Sequence, residues 1–227
     1  RGLGDVYKRQ LQINPTAKIV SGQELHTSSV VYSWVNQLIE GKESFVRSKT
    51  IGKTKLKKPF RVLDICKGSA KNKPVLVFLT RQHPPEVTGY FAFQAFLSTI
   101  LEENKLTSSF LDHYRILAFP LMNPDGVDLG HWRHNAGGVD TNRDWSFYHQ
   151  PEIKTTVDYI TQVLKKNNSK LVLGLDFHST WYDVFYTNKE RKSTAFPEFL
   201  PKWFSALEQN IPCLLYTSPS PRDAHES

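Results

Sequence analysis

The chain has 227 residues, 39% of them hydrophobic and 12% aromatic, which supplies one sizeable core and fits one domain rather than two. No apolar run approaches the ~18–20 residues of a membrane-spanning helix, and no internal repeat is present. The formal charge of +7 is a small basic excess, and the lysines of 49–58 lack the interleaved aromatics of a nucleic-acid stacking surface. Membrane-span and nucleic-acid-binding classes are therefore set aside.

The two ends read differently from the middle. Residues 5–10 can be encoded by a DNA string whose reverse complement, read one base in, encodes 213–218. Extended upstream, the same string supplies 1–4 and its complement supplies 219–222, and it resembles the adapter of transposon-based sequencing libraries. The expectation is that 1–10 and 213–227 are adapter-derived, and that 11–212 is a single domain, incomplete on its C-terminal side. Cys66 is then the one remaining cysteine, so no internal disulfide is expected. Compartment and oligomeric state are not set by the sequence.

Within 11–212 a first helix is expected to start near Ser28 or Ser29 as N-cap. It carries Val31, Trp34, Val35 and Leu38 on one face and stops at Gly41. The lysine-rich stretch 49–58 reads as a solvated loop or hairpin edge. Strands are expected at 60–66 and 74–80, with a polar connection between them. From Glu86 the pattern turns helical, with Tyr90, Phe93, Leu97, Ile100 and Leu101 on one stripe. Another buried strand at 114–120 leads into a long loop, rich in Gly, Asn and Asp, over 123–150. Pro151 suits the first turn of a helix with Ile153, Val157, Ile160 and Leu164 on its face. The nearly all-apolar run 171–177 predicts a strand covered on both faces. A strand at 184–187 and a helical stripe of Phe199, Leu200, Trp203, Phe204 and Leu207 follow. The expected fold is α/β, a three-layer sandwich with a mixed, largely parallel central sheet. Polar clusters follow three strand ends, the place where such sheets bind ligands.

The first cluster is His83-Pro84-Pro85-Glu86, an imidazole and a carboxylate three positions apart at a strand-to-helix turn, within reach of one metal ion. Alone it reads equally as a helix-capping Glu beside an incidental His. His178, in Asp176-Phe177-His178-Ser179-Thr180, would add a third ligand and leave a fourth position open, as a catalytic zinc site needs. A lone His after an apolar strand is more often structural. The long loop adds Asn123-Pro124-Asp125-Gly126, which reads as a type I turn, and then Arg133, Asp140, Asn142 and Arg143. Paired Arg and Asn side chains near a metal suit recognition of a terminal carboxylate. His26, His113 and His149 read as surface or loop residues, while His131 and His134 flank Arg133.

Taken in order, His-x-x-Glu, Asn-Pro-Asp-Gly, Arg, Val-Asp-x-Asn-Arg-x-Trp and Asp-x-His-Ser resemble the zinc metallocarboxypeptidases of the A/B type, over 80–179. The resemblance implies one Zn2+ ion on His83, Glu86 and His178, with Asp140 bonded to His83. It implies that Asn142 and Arg143 grip the C-terminal carboxylate of a peptide substrate, that Arg133 stabilises the oxyanion, and that Ser179 lies along the substrate backbone. Asp144 stands where many relatives have Asn. The family's general-base Glu lies well downstream of the third ligand. Glu190, Glu198 and Glu208 do not sit in such a setting, so this chain is expected to bind zinc poorly or not at all and to lack activity. The alternatives are a zinc amidoacylase of the aspartoacylase or succinylglutamate desuccinylase type and a non-catalytic protein that keeps the pocket. Bacterial cell-wall peptides are a further substrate class for the same fold.

Overall fold

The computed structural model describes residues 16, 21, 23–180, 184–186, 198–209 and 215–217. Helix α1 (Ser28–Ile39) leads into the hairpin β1 (Val46–Lys53) and β2 (Pro59–Ile65). Strand β3 (Val75–Thr80), helices α2 (Val87–Ile100) and α3 (Lys105–His113), and strand β4 (Arg115–Phe119) follow. The short helix α4 (Pro124–Asp128), a 3-10 turn (Thr141–Arg143), α5 (Pro151–Asn167) and β5 (Leu171–Phe177) complete the main body. Beyond it lie β6 (Val184–Tyr186), α6 (Phe199–Glu208) and β7 (Leu215–Thr217).

The sheet runs β1-β2-β4-β3-β5. Strand β2 is antiparallel to both β1 and β4, whereas β3 is parallel to β4 and β5. The sheet is mixed as expected: β4, β3 and β5 form its parallel part, and the lysine-rich stretch forms the antiparallel hairpin at its edge. Alternation along the strands splits the interior into two cores. Leu63, Ile65, Leu76, Phe78, Ile116 and Ala118 face Val31 and Val35 of α1, Tyr90, Phe93 and Leu97 of α2, and Leu111 of α3. Phe60, Val62, Val75, Val77, Leu117 and Phe119 face Ile153 and Val163 of α5. Helices on both faces of one sheet make the three-layer α/β sandwich.

Several local expectations are corrected. The cap of α1 is Thr27, one residue before the expected start, and its hydroxyl accepts from the Val30 N–H. Asn123–Gly126 is more than a turn: Asn123 Oδ1 accepts from the Gly126 N–H and caps α4, with Pro124 at its first position. Helix α3 was not expected at all. Its signal is the reciprocal cap of Asn104 and Thr107, an Asn/Thr variant of the usual Ser/Thr-to-Glu pattern. On α5 the buried set includes the polar Glu152 and Thr156 beside Ile153 and Val163.

Strand β5 is apolar but only half-buried, since no strand lies beyond it among the described residues. Strand β6 pairs in parallel with β7 and not with the main sheet. Of the two segments read as adapter-derived, 1–10 lies outside the described residues, and of 213–227 only β7 is described. Glu190 is also outside them, and Glu198 is the exposed residue preceding α6. Among the described residues, no helix is long and apolar enough to cross a membrane.

At the start of β4, the Arg115 guanidinium donates to both oxygens of Asp64, at 2.8 and 2.7 Å. Lys49 of β1 and the Tyr159 hydroxyl of α5 donate to the same carboxylate. Burial alone would raise the Asp64 pKa, but the bonds from Arg115 and Lys49 hold it below the usual carboxylate range. Replacing Asp64 by Ala strands the buried Arg115. The expected loss is about 3–5 kcal/mol in urea unfolding, and a loss below about 1 kcal/mol would show that water compensates the guanidinium.

Candidate metal centre

Strands β4, β3 and β5 end nearly level, because Leu79 pairs with Phe119 and Thr80 pairs with Phe177. The residues that follow each strand therefore meet. His83 turns back from β3, Asn123 follows β4, and His178 follows β5. His83 Nδ1 lies 2.9 Å from Glu86 Oε1, and His178 Nδ1 lies 2.7 Å from Glu86 Oε2. One donor atom from each of His83, Glu86 and His178 falls within 4.8 Å of the others.

Glu86 precedes α2 as its N-cap, but its side chain makes no capping bond. The cap is supplied instead by Ser179, whose hydroxyl accepts from the Gly89 N–H at 2.9 Å and pairs with Thr88 Oγ1 at 2.6 Å. This frees the Glu86 carboxylate to face the two imidazoles, and it answers the helix-capping reading of that residue. It also engages the Ser179 hydroxyl with α2. The close approach depends on Gly89, where an added Cβ would stand 2.5 Å from the His178 carbonyl oxygen.

The outer nitrogens of both rings meet carboxylates. His83 Nε2 lies 3.0 Å from Asp140 Oδ1, and His178 Nε2 lies 2.8 Å from Asp176 Oδ2. Asp176 was quoted in the sequence motif without a role. The period-2 alternation of a strand puts it on the same side as His178, which is the signal that could have found it. Asp140 also accepts from the Asn142 N–H at 3.0 Å and from Arg133 Nε at 2.6 Å. One carboxylate thus ties His83, Arg133 and the Asn142 turn together. Arg143 is exposed, and its Nη1 donates to the Asn142 carbonyl at 3.1 Å.

Other loop residues are structural. Asp144 is buried and accepts from the His149 and Gln150 N–H groups at 3.1 and 2.7 Å, closing the loop onto α5. His131 and His134 line a cavity of about 550 Å³ with Trp132, Arg133 and Asn135. His113 and His149 are exposed, as expected. His26 is in the loop before α1, as expected, but is half-buried there: its ring packs edge-on against Tyr90 and Phe91, at 5.3 and 5.1 Å between centroids.

Electrostatics follow from this geometry. Burial opposes charge on His178, yet its bonds to Asp176 and Glu86 push its pKa up to about 10. His83 is raised as well, by Asp140 and Glu86 against burial. Glu86, which burial alone would raise, is held down to about 2 by bonds from the two histidines. Asp140 is held well below the carboxylate range by His83 and Arg133. Three carboxylates face Arg133 and two imidazoles. The cluster balances with two imidazolium rings, or with neutral rings and one divalent cation. Two imidazole nitrogens and a carboxylate, each ring backed by a further carboxylate, are the donor chemistry that suits zinc.

A family model described as zinc carboxypeptidase matches residues 31–217. The chain belongs to the zinc carboxypeptidase family. Cytosolic carboxypeptidase 6 of Caenorhabditis elegans is 25% identical over 203 residues, covering 82% of this chain and 43% of that protein. The chain therefore spans less than half the length of that curated relative. Among solved structures, a metallo-carboxypeptidase from Burkholderia cenocepacia gives a TM-score of 0.70 at 18% identity, covering 88% of this chain and 55% of that one. Carboxypeptidase A from Helicoverpa armigera gives 0.65 at 18% identity, covering 85% and 57%. These carboxypeptidases share the fold of this chain. Family membership favours the peptidase reading over the amidoacylase one, and zinc is the family's metal.

The sign of the pH dependence follows for this zinc carboxypeptidase chain. A raised His pKa stabilises the fold fully below 6.5, and the gain is lost as pH rises toward about 10. A depressed Glu pKa stabilises fully above 4.5, and is lost as pH falls toward about 2. The metal-free cluster thus contributes most between 4.5 and 6.5. Zinc affinity should instead rise with pH above that window, with the His178 proton expelled as the ion binds near neutrality. Calorimetry in buffers of different ionisation enthalpy measures that release, and zinc uptake without proton release would refute the shared-carboxylate arrangement. Gly89→Ala should weaken zinc binding at least about tenfold, by the disturbance of His178. Chelator competition reads this, and unchanged affinity would show that α2 shifts freely.

Proposed function

We propose that the intact protein is a metallocarboxypeptidase that hydrolyses the C-terminal peptide bond of peptides bearing a free terminal carboxylate. One zinc ion would be held by His83, Glu86 and His178. The observation that carries this reading is that those three donors meet at the strand ends, with Arg133 tied to the same Asp140 carboxylate that backs His83. When bound there, zinc supplies the Lewis acidity that activates water and polarises a carbonyl.

The chain's own residues do the rest. Asp140 and Asp176 accept the outer ring N–H groups, which leaves both Nδ1 lone pairs directed inward. Arg133 uses Nε on Asp140, so its remaining N–H groups donate to the scissile carbonyl oxygen as negative charge develops there. Asn142 and the exposed Arg143 grip the substrate carboxylate, the guanidinium by its two-pronged geometry. Ser179 borders the substrate at the start of α2.

The general base implied by the family resemblance is assigned to a Glu outside this chain. The 227-residue chain is then expected to hold zinc weakly and to show no turnover, and hydrolysis by it alone would overturn that assignment. In the intact protein, Arg133→Met should lower kcat by about 10²–10³-fold with zinc content unchanged. An unaffected kcat would remove Arg133 from the oxyanion role. The same reading takes 11–212 as the native part of the domain, supported by the reverse-complement relation of the two ends. Sequencing the source gene across Pro212 tests it.

A further inference from the structure

Gln82 is fully buried beside His83, and nothing above gives it a function. Its carboxamide has one allowed orientation. The Trp145 indole can only donate, and its Nε1 lies 2.9 Å from Gln82 Oε1, so that atom is the oxygen. The amide nitrogen then faces two acceptors, Asp176 Oδ2 and, at 3.5 Å, Asn142 Oδ1. The Gln82 carbonyl is fixed as well, accepting from Asn123 Nδ2 at 3.2 Å and Thr141 Oγ1 at 3.0 Å.

The Asp176 oxygen that accepts from Gln82 is the same one that lies 2.8 Å from His178 Nε2. An unbroken series of hydrogen bonds therefore runs from the Trp145 N–H through Gln82 and Asp176 to His178. One end lies two residues past Arg143, in the turn assigned to the substrate carboxylate. The other end is a ring whose Nδ1 faces Glu86. Gln82 and His178 share one acceptor oxygen, so a change of charge on the ring alters how strongly Gln82, and through it Trp145, is held.

We propose that Gln82 is a positioning residue that couples the two halves of the site. It fixes the direction in which Asp176 receives His178, and it holds the 142–145 turn at a set distance from that histidine. The metal end of this inference rests on the zinc reading above, while the Trp145–Gln82–Asp176 segment does not.

The test uses the 15N-labelled chain, whose five tryptophans each carry one indole N–H, with Trp145→Phe to assign the relevant resonance. Asp176→Asn should move the Trp145 resonance more than the other four, and in a Gln82→Met background it should not. Zinc titration should move the same resonance in the parent chain but not in Gln82→Met. Gln82→Met should also lower zinc affinity by about 10–100-fold. Gln82→Leu also lacks the donor toward Asp176, so it should show the same uncoupling if the Met variant folds poorly. A Trp145 resonance that ignores Asp176→Asn, or unchanged zinc affinity in both Gln82 variants, would overturn the proposal. If this chain takes up no zinc, the Asp176→Asn comparison decides the coupling here, and zinc affinity of the Gln82 variants in the intact protein decides the metal end.

Discussion

The level parallel ends of β4, β3 and β5 are the constraint on which the site depends. Thr80 pairs with Phe177 and Leu79 with Phe119, so the chain leaves three neighbouring strands at one height. A shift of one residue in β5 would turn His178 and Asp176 to the opposite face of the sheet. That register is held by apolar packing on both faces of the strands, with Phe78 and Ala118 on one side and Val77 and Phe119 on the other. The polar residues of the loops inherit their positions from it.

Around that constraint, carboxylates do most of the positioning. Glu86 bridges two imidazoles, Asp140 binds His83, Arg133 and the Asn142 turn, and Asp176 binds His178 and Gln82. Gathering three carboxylates in a partly buried cluster is unfavourable unless positive charge accompanies them. Two protons or one divalent cation restore the balance, so the same geometry serves the metal-free and the metal-bound protein. The exchange of protons for metal is thereby built into the electrostatics of the cluster.

Precise placement also required two features without chemistry of their own. Gly89 lets the first turn of α2 press against the His178 backbone. The Ser179 hydroxyl takes over the cap of that helix and leaves Glu86 free. Each feature joins β5 to α2, so the metal donors on the two elements are fixed relative to one another rather than to solvent.

Patterns with a fixed period were legible in the amino-acid sequence. The strands β2, β3 and β4, the apolar faces of α1 and α2, the start of α5 at Pro151, and the grouping of polar residues after strand ends all follow from alternation, helical spacing and turn chemistry. The candidate donors His83, Glu86 and His178 were legible as a set only because several short motifs occur in one order. Features that depend on partners far along the chain were not. Strand β5 was left half-covered, and His26 was drawn against Tyr90. The roles of Asp176 and Gln82 likewise needed the tertiary structure, because a hydrogen bond between residues 94 positions apart leaves no periodic trace in either segment. Local sequence sets which face a side chain takes, but the register between strands decides which side chains meet.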